Sequence, residues 1–492
     1  MLRAVQGWFP GVQPDSRSRF GLTLALHAAL LVVVTVVFWY QLVDDSYVFF
    51  RYGRNLVEFH AWNWNRAGTH EQAYTSIFYA VLAIVPAILH IDPLVFMKVL
   101  GLAMMAFLPL RVWQLTGSQS KFLAAVLLVS MNPYFAIHAF SGMDTVLFVV
   151  LLFELFVTLE SDVQARQATY RGMLVALMLP LVRPEGMAFS GLYWLSLLVW
   201  GNRIRTIQWL VGFITLFVAF YAWNWWYFGQ PFPNPFYVKV ISEGGGIGKL
   251  LGAALGMRIY WFAVLFGILL CSNRRWWMLA AMCCAIALFL YGPAELVMDY
   301  ANRFRFQVFV PLFLALIVYM RTEPAQNDLA LAVLIVLVAW GPVTKEQIVA
   351  ATQKSDTIRA EAATRRIGEA LNRPGGLNVL LYEAGAIPYY SDCNCVDAWG
   401  LGTRRITKNH LKFDSLLSEH PDAIVLYQHS KTQTGPSEQL QDEQRFAQID
   451  ATGLYEKVAV VHYIHGLWLP VFLRKNSPDF ETIKGRLRAI EQ

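Results

Sequence analysis

The chain reads as a polytopic α-helical membrane protein that ends in a soluble α/β domain. Hydrophobic residues make up 56% and charged residues 15%, where a soluble domain carries about 25% charged. Apolar segments recur from residue 21 to residue 340, and the first is long enough to cross a bilayer core. Beyond Trp340 charge rises and apolar runs shorten. These observations divide the chain into a transmembrane part, 1–340, and a soluble part, 341–492.

Residues 21–40 form the first apolar segment, with no small-residue cleavage site behind them, so they read as a retained helix and not a signal peptide. Further apolar segments occupy 75–109, 121–138, 143–160, 172–182, 187–200 and 207–228. Others lie at 259–271, 276–291, 306–319 and 329–340. The expected count is about eleven crossings. Segment 75–109 is long enough for two short pieces broken at Asp92-Pro93, yet only one net crossing fits, so one piece is expected to be re-entrant or to lie flat. Segment 172–182 spans roughly 16 Å as a helix and crosses only if it extends or the bilayer thins.

The Lys/Arg bias sets the orientation. Arg3, Arg17 and Arg19 precede the first helix, which places the N-terminus in the cytoplasm. The loops holding Arg111 and Lys121, Arg166 and Arg171, Arg203 and Arg205, and Arg274 and Arg275 follow on the same side. Residues 44–74, 141–144, 183–186, 229–256 and 293–305 then face outward, as does the C-terminus. The soluble tail shows strand-like stretches at 378–382, 423–427 and 457–463, a helix-like stretch at 356–371, and turn punctuation at Gly375-Gly376. It holds no Gly-rich phosphate loop, and Gly244-Gly245-Gly246 lacks a strand-to-helix context and reads as a linker.

The formal charge of +6 suits loops beside anionic lipid, and no Lys/Arg block is dense enough for nucleic acid. Cys271, Cys283 and Cys284 lie in apolar segments and read as packing residues. Cys393 and Cys395 are too close for an easy disulfide, and no second Cys or His pair completes a zinc site.

The outward loops collect the chemistry. Asp44 and Asp45 follow the first apolar run directly, where two adjacent carboxylates stay charged only if a cation, a metal or a substrate proton compensates them. In isolation, two solvated loop acids would look the same. The first loop adds Arg51, Arg54, His70, Glu71 and Tyr74; the second adds Asp144; the third adds Arg183 and Glu185. Asn234, Tyr237 and Lys239 come from the fourth, and Asp299, Arg303 and Arg305 from the fifth. A carboxylate can take the proton of an acceptor hydroxyl. Arg and Lys stabilise a phosphate leaving group, and aromatic faces accept sugar rings. The set suits glycosyl transfer from a lipid phosphate. Singly, each aromatic or Arg would serve as an interfacial anchor, Asp144 as a helix N-cap, and Glu185 as a structural partner of Arg183 pinning a helix break.

Several stretches in order resemble one family. Asp44-Asp45-Ser46-Tyr47, Arg51-Tyr52 and Asn55-Leu56 are similar to an Asp-Asp-x-Tyr-x-x-x-Arg-Tyr-x-x-Asn-Leu signature. Glu71-Gln72-Ala73-Tyr74-Thr75-Ser76 resembles a Glu-Gly-Tyr-Thr-Ser element with Ala73 for glycine, and Ser141-Gly142-Met143-Asp144-Thr145 resembles one with Glu in place of Asp144. Arg183-Pro184-Glu185-Gly186, Pro233-Asn234-Pro235-Phe236-Tyr237-Val238-Lys239, Arg303-Phe304 and Tyr389-Tyr390-Ser391 continue the series. These motifs resemble the GT-C superfamily of integral-membrane glycosyltransferases. The branch is that of polyprenyl-phosphate arabinofuranosyltransferases, which includes the mycobacterial terminal enzymes and pilin-modifying relatives.

The resemblance implies a site on the outer face of the cytoplasmic (inner) membrane. There Asp44 or Asp45 serves as catalytic base, or as metal ligand if a divalent cation is used. It implies that Arg51, Arg54, Lys239, Arg303 and Arg305 meet the donor phosphate. It gives His70, Glu71, Tyr74, Asp144, Glu185, Asn234 and Tyr237 to sugar or acceptor. The implied partners are membrane lipids, a polyprenyl-phosphate sugar donor, and a pilin or polysaccharide acceptor, with no nucleic acid. Two alternatives stay open: a hexose or aminosugar transferase acting on lipopolysaccharide or wall polymer, and a lipid-linked-sugar transporter. The transporter would show internal repeats with ionisable residues at mid-bilayer, and no such repeat is seen.

Overall fold

The computed structural model describes residues 14–66, 68–240, 264, 274–291, 300–320, 354–409, 411–429 and 436–491. The chain is mostly helical and groups into two compact units. One comprises 1–41, 95–216 and 242–352; the other comprises 42–94, 217–241 and 353–492. The tail therefore groups with the loop that carries Asp44 and Asp45.

In the first unit, helix starts follow from capping chemistry. Ser118, Asn132 and Thr169 each turn a side-chain oxygen onto a backbone N–H of the following helix, satisfying one of its orphan donors. Asn132-Pro133 also explains a bend. Gln119–Ser130 stops, Asn132 caps the next turn, and Pro133–Phe140 leaves at 62°. The helix Thr145–Gln164 packs against Arg303–Tyr319, Tyr170–Val182 and Gly186–Trp200. Of the stretch Tyr300–Tyr319, 89% is buried, against 17% of Arg19–Phe38, which makes the former the core helix. Glycine permits the tightest approach: a Cβ on Gly101 would lie 2.0 Å from the Ala139 carbonyl oxygen.

Among the described residues four helices are long and apolar enough to cross a membrane, or five if the bent pair counts as one span. The four are Arg19–Phe38, Pro93–Thr116, Arg203–Phe228 and Tyr300–Tyr319. Tyr170–Val182 and Gly186–Trp200 are apolar but shorter. Segment 75–109 is broken where expected: Ile77–Leu82 and Ile84–Leu89 come first, the second ends at His90, whose φ is 51°, and a new helix starts at Pro93. Segments 329–340 and, apart from residue 264, 259–271 lie outside the described residues, as does Gly244-Gly245-Gly246.

The second unit joins Ser46–Phe59, the short helices of 77–89 and a six-stranded sheet. Its strands are β1 (Asn378–Leu381), β2 (Asn394–Asp397), β3 (Ala423–Val425), β4 (Gln428–His429), β5 (Tyr455–Ile464) and β6 (Leu467–Arg474). The order is β2-β1-β3-β6-β4, with β5 also on β6. β2, β1 and β3 run parallel, and β6 is antiparallel to β3. The expected stretches 378–382, 423–427 and 457–463 correspond to β1, β3 and β5, and 356–371 falls within the helix Lys354–Leu371. β2, β4 and β6 were not foreseen. β6 contains Pro470, which breaks a strand pattern, yet the β5–β6 hairpin holds it through the turn at Gly466, whose φ is 78°. Ala386–Ser391 packs against both Lys354–Leu371 and Ser46–Phe59.

Candidate functional site

The C-terminal ends of the three parallel strands in the second unit form the site. In open α/β sheets, ligands bind beyond the carboxyl ends of parallel strands. β1 runs out into Glu383, β2 ends on Asp397 and β3 runs out into Tyr427. Asp44 joins this edge: its Oδ1 accepts the backbone N–H of Ala386 at 3.0 Å. The approach requires Gly385, because a Cβ there would lie 2.1 Å from Asp44 Oδ2.

Asp44 and Glu383 lie close enough for their charges to interact. The Tyr427 phenol donates to Glu383 Oε1, and the Glu383 charge also acts on Tyr463. Burial, reinforced by the Glu383 charge, pushes the Asp44 carboxyl well above the usual carboxylate range. Burial likewise raises Glu383. Asp397 is fully buried, accepts the N–H of Trp399 at 2.9 Å and of Gly402 at 2.7 Å, and is pushed by burial up to about 7. Asp45 sits half-buried beside this group, and no hydrogen bond or ion pair holds its carboxylate among the described residues.

Arg51 and Arg54 occupy a different role in the same unit. Arg51 is buried and donates to the carbonyls of Trp64 at 2.5 Å and Cys393 at 2.7 Å, and to Asn65 at 3.2 Å. Arg54 pairs with Asp392 at 2.5 Å and donates to the Tyr389 carbonyl. Both guanidiniums thus tie Ser46–Phe59 to the turn between Tyr389 and Cys395. Cys393 and Cys395 are buried free thiols there, in keeping with the tight spacing that disfavours a disulfide.

Glu71 and Asn234 are both buried and meet each other. Glu71 Oε2 accepts from Asn234 Nδ2 at 3.0 Å and from the Arg404 backbone N–H at 2.9 Å, while Oε1 accepts from Thr69 at 3.1 Å. Tyr74 is buried and accepts from Trp62 Nε1 at 3.0 Å. His70 is exposed and stacks on Tyr227 at 4.1 Å between ring centres. Tyr237 lies half-buried in the helix Asn234–Val240 against Phe232 and Phe236. The side chain of Lys239 lies outside the described residues.

The first unit holds the remaining candidates as a second cluster. Arg183 donates to Asp144 at 3.1 Å and to Glu185 at 3.0 Å, bracketing the break between Tyr170–Val182 and Gly186–Trp200. Glu185 Oε1 also accepts from Gln307 at 3.1 Å. Asp144 holds the N-cap position of Thr145–Gln164, as the N-cap reading has it, but its side chain makes no capping bond. Its carboxylate serves Arg183 instead. Arg303 is buried over the rings of Tyr300 and Phe304, and its Nε and Nη1 find no hydrogen-bond partner among the described residues. Arg305 Nη1 donates to Asn302 at 3.3 Å. Asp299 lies outside the described residues.

Among the described residues no group of His, Cys, Asp and Glu is arranged to hold a metal ion. Glu383, Tyr427 and Tyr463 escaped sequence reasoning. A signal was available for two of them, since Glu383 and Tyr427 each lie at the end of a stretch that reads as a strand.

Residues 353–479 match the model of a family described as a domain of unknown function, DUF8728. No curated protein and no solved structure matches the chain.

Proposed function

We propose that the protein is a GT-C-type glycosyltransferase of the bacterial cytoplasmic (inner) membrane, crossing it about eleven times. In this reading it moves a sugar, arabinofuranose by the family resemblance, from a polyprenyl-phosphate donor to a pilin or polysaccharide acceptor on the outer face. The observation that supports it most is the seating of Asp44. An acid that follows a membrane-length apolar helix is held at the strand ends, where burial and the Glu383 and Asp45 charges raise its proton affinity.

A base with a raised affinity is suited to taking the proton of an acceptor hydroxyl. In the step proposed, Asp44 takes that proton as the acceptor oxygen bonds the anomeric carbon. The carbon–oxygen bond to the phosphate breaks, and its electron pair leaves on the phosphate. Asp45, whose carboxylate is unengaged among the described residues, steers the acceptor or the positive charge developing on the sugar ring. The phosphate needs a cation with donors to spare. Arg51 and Arg54 spend theirs on the backbone and Asp392, which leaves Lys239, the other cation that the resemblance gives to the donor phosphate in the same unit. The sequence carries no nucleotide loop, which favours a lipid carrier over a nucleotide sugar.

Purified protein in liposomes, given decaprenyl-phosphoryl arabinose and acceptor, is expected to transfer the sugar. Asp44→Asn and Asp45→Asn should insert and fold yet lose roughly 100-fold or more of the rate. Near-normal transfer by both variants rejects the assignment of the base. Turnover of a UDP-sugar with none of any prenyl-phosphate sugar rejects the donor class; turnover of a prenyl-phosphate hexose alone rejects only arabinose.

A further inference from the structure

We propose that Trp399 seats a sugar ring of the acceptor at the strand-end site, and that the acceptor is a neutral glycan. This acceptor class rests on the glycosyl-transfer reading, which leaves pilin and polysaccharide open. Trp399 is 54% exposed, whereas tryptophan is on average a well-buried residue. It also stands at the end of a row of rings. Trp399 lies two residues beyond β2, and its ring meets that of Tyr382, directly after β1, edge-on at 5.4 Å between centres. Tyr382 meets Tyr427, two residues beyond β3, at 5.9 Å, and Tyr427 stacks on Tyr463 of β5 at 6.4 Å. The row follows the strand order β2-β1-β3 along the carboxyl edge of the parallel strands. Glu383 and the Ala386 N–H that Asp44 accepts lie on the same edge.

The turn that carries Trp399 is fixed from both sides. Asp397 accepts the N–H of Trp399 at 2.9 Å and of Gly402 at 2.7 Å, and the Gly400 N–H returns to the Asp397 carbonyl at 2.9 Å. A Cβ on Gly402 would lie 2.8 Å from the Trp64 ring, so the turn sits directly on that buried side chain. Glu71 Oε2 then accepts the Arg404 N–H at 2.9 Å. An indole is thus held in one place while more than half of its surface stays in water. Such pre-ordering lowers the entropy lost when a ligand packs on it.

The neighbours select the ligand. A sugar ring carries C–H groups on its face and hydroxyls around its rim. The C–H face covers the indole, and the hydroxyls donate to carboxylate oxygens along the edge. Trp also serves as a bilayer anchor, but anionic lipid at the interface is met by cations with donors to spare. Here Arg404 donates to the Phe228 carbonyl, Arg405 pairs with Glu419, and Arg445 lies over the Tyr382 ring and pairs with Asp442.

Equilibrium binding of fluorescent arabinohexaose and mannohexaose to the full-length protein in detergent, read by anisotropy without any donor, tests the seat. At least one of the two should bind saturably. Trp399→Ala should weaken that binding roughly tenfold or more. Trp399→Tyr, which keeps an aromatic face, should restore most of it, and both variants should melt with the wild type. In the transfer assay Trp399→Ala should raise the KM for the glycan more than it lowers kcat. A wild type that binds neither oligosaccharide, undiminished binding by Trp399→Ala, or a loss that Trp399→Tyr does not restore would overturn the proposal. So would quenching by brominated lipid of a fluorophore attached to Trp399→Cys in liposomes, which would assign the side chain to the bilayer interface. Trp399-dependent glycan binding with no transfer by the wild type would reject the glycosyltransferase reading and leave the seat standing. Transfer to glycan with an unchanged KM in Trp399→Ala would do the reverse.

Discussion

At Asp397 a single carboxyl couples pH to stability. Its folded value, pushed by burial from 3.8 up to about 7, lies above the unfolded one. The native state therefore holds the proton more tightly than the unfolded chain. The stabilisation is complete below about 4 and is lost as pH rises through about 7. Melting temperature in detergent should fall from pH 5 to pH 8. Asp397→Asn should flatten that slope. It should also cost about 1–2 kcal/mol at pH 5, because one amide oxygen cannot keep both the Trp399 and Gly402 backbone bonds. A wild-type melt that is level across this range would refute the coupling. Asp44 and Asp45 were legible from sequence because they interrupt an apolar pattern. Glu383 was not, since an acid in a polar tail is unremarkable until the β1 end and Tyr427 surround it. Arg51 and Arg54 show the opposite limit: a cation beside an acid pair looks like an anion binder, and only coordinates reveal that the backbone has taken its donors.

At the scale of elements, glycine separates a functional approach from a structural one. In Gly385→Ala the new Cβ would meet Asp44 Oδ2 at 2.1 Å and the Asp44 carbonyl oxygen at 2.2 Å, forcing Ala386–Ser391 away from Asp44. In Gly53→Ala it would meet the Ala83 carbonyl oxygen at 2.3 Å, forcing Ser46–Phe59 away from the helices after Ser76. Both changes overpack the same unit and should cost about 1–3 kcal/mol. Gly385→Ala should also reduce the transfer rate per folded molecule, whereas Gly53→Ala should reduce only stability. Equal rate losses in the two variants would count against Asp44 as the base. Helices were the more legible elements, because apolar runs of membrane length declare themselves. The bend at Asn132-Pro133 was hidden, since apolar residues continue through it and only the cap and the proline mark the break. β6 was hidden for a similar reason, with Pro470 masking a strand that its partners hold in register.

At the scale of the whole molecule, the question is which side of the membrane the strand-end site faces. The Lys/Arg bias predicts Arg203 and Arg205 inside and the tail outside. The described native thiols are poor reporters, because Cys283, Cys284, Cys393 and Cys395 are all buried. Glu443 and Asn202 are exposed and serve better. Glu443→Cys lies on the helix Pro436–Ala451 of the tail, and Asn202→Cys lies just before Arg203–Phe228. In intact spheroplasts a membrane-impermeant maleimide should label Glu443→Cys at once. Asn202→Cys should label only after permeabilisation. On the proposed glycosyl-transfer reading, an outward-facing site draws its sugar from a lipid carrier, because nucleotide sugars are made and kept in the cytoplasm. The reverse labelling pattern would put Asp44 in the nucleotide-sugar compartment and remove the main reason for a polyprenyl-phosphate donor.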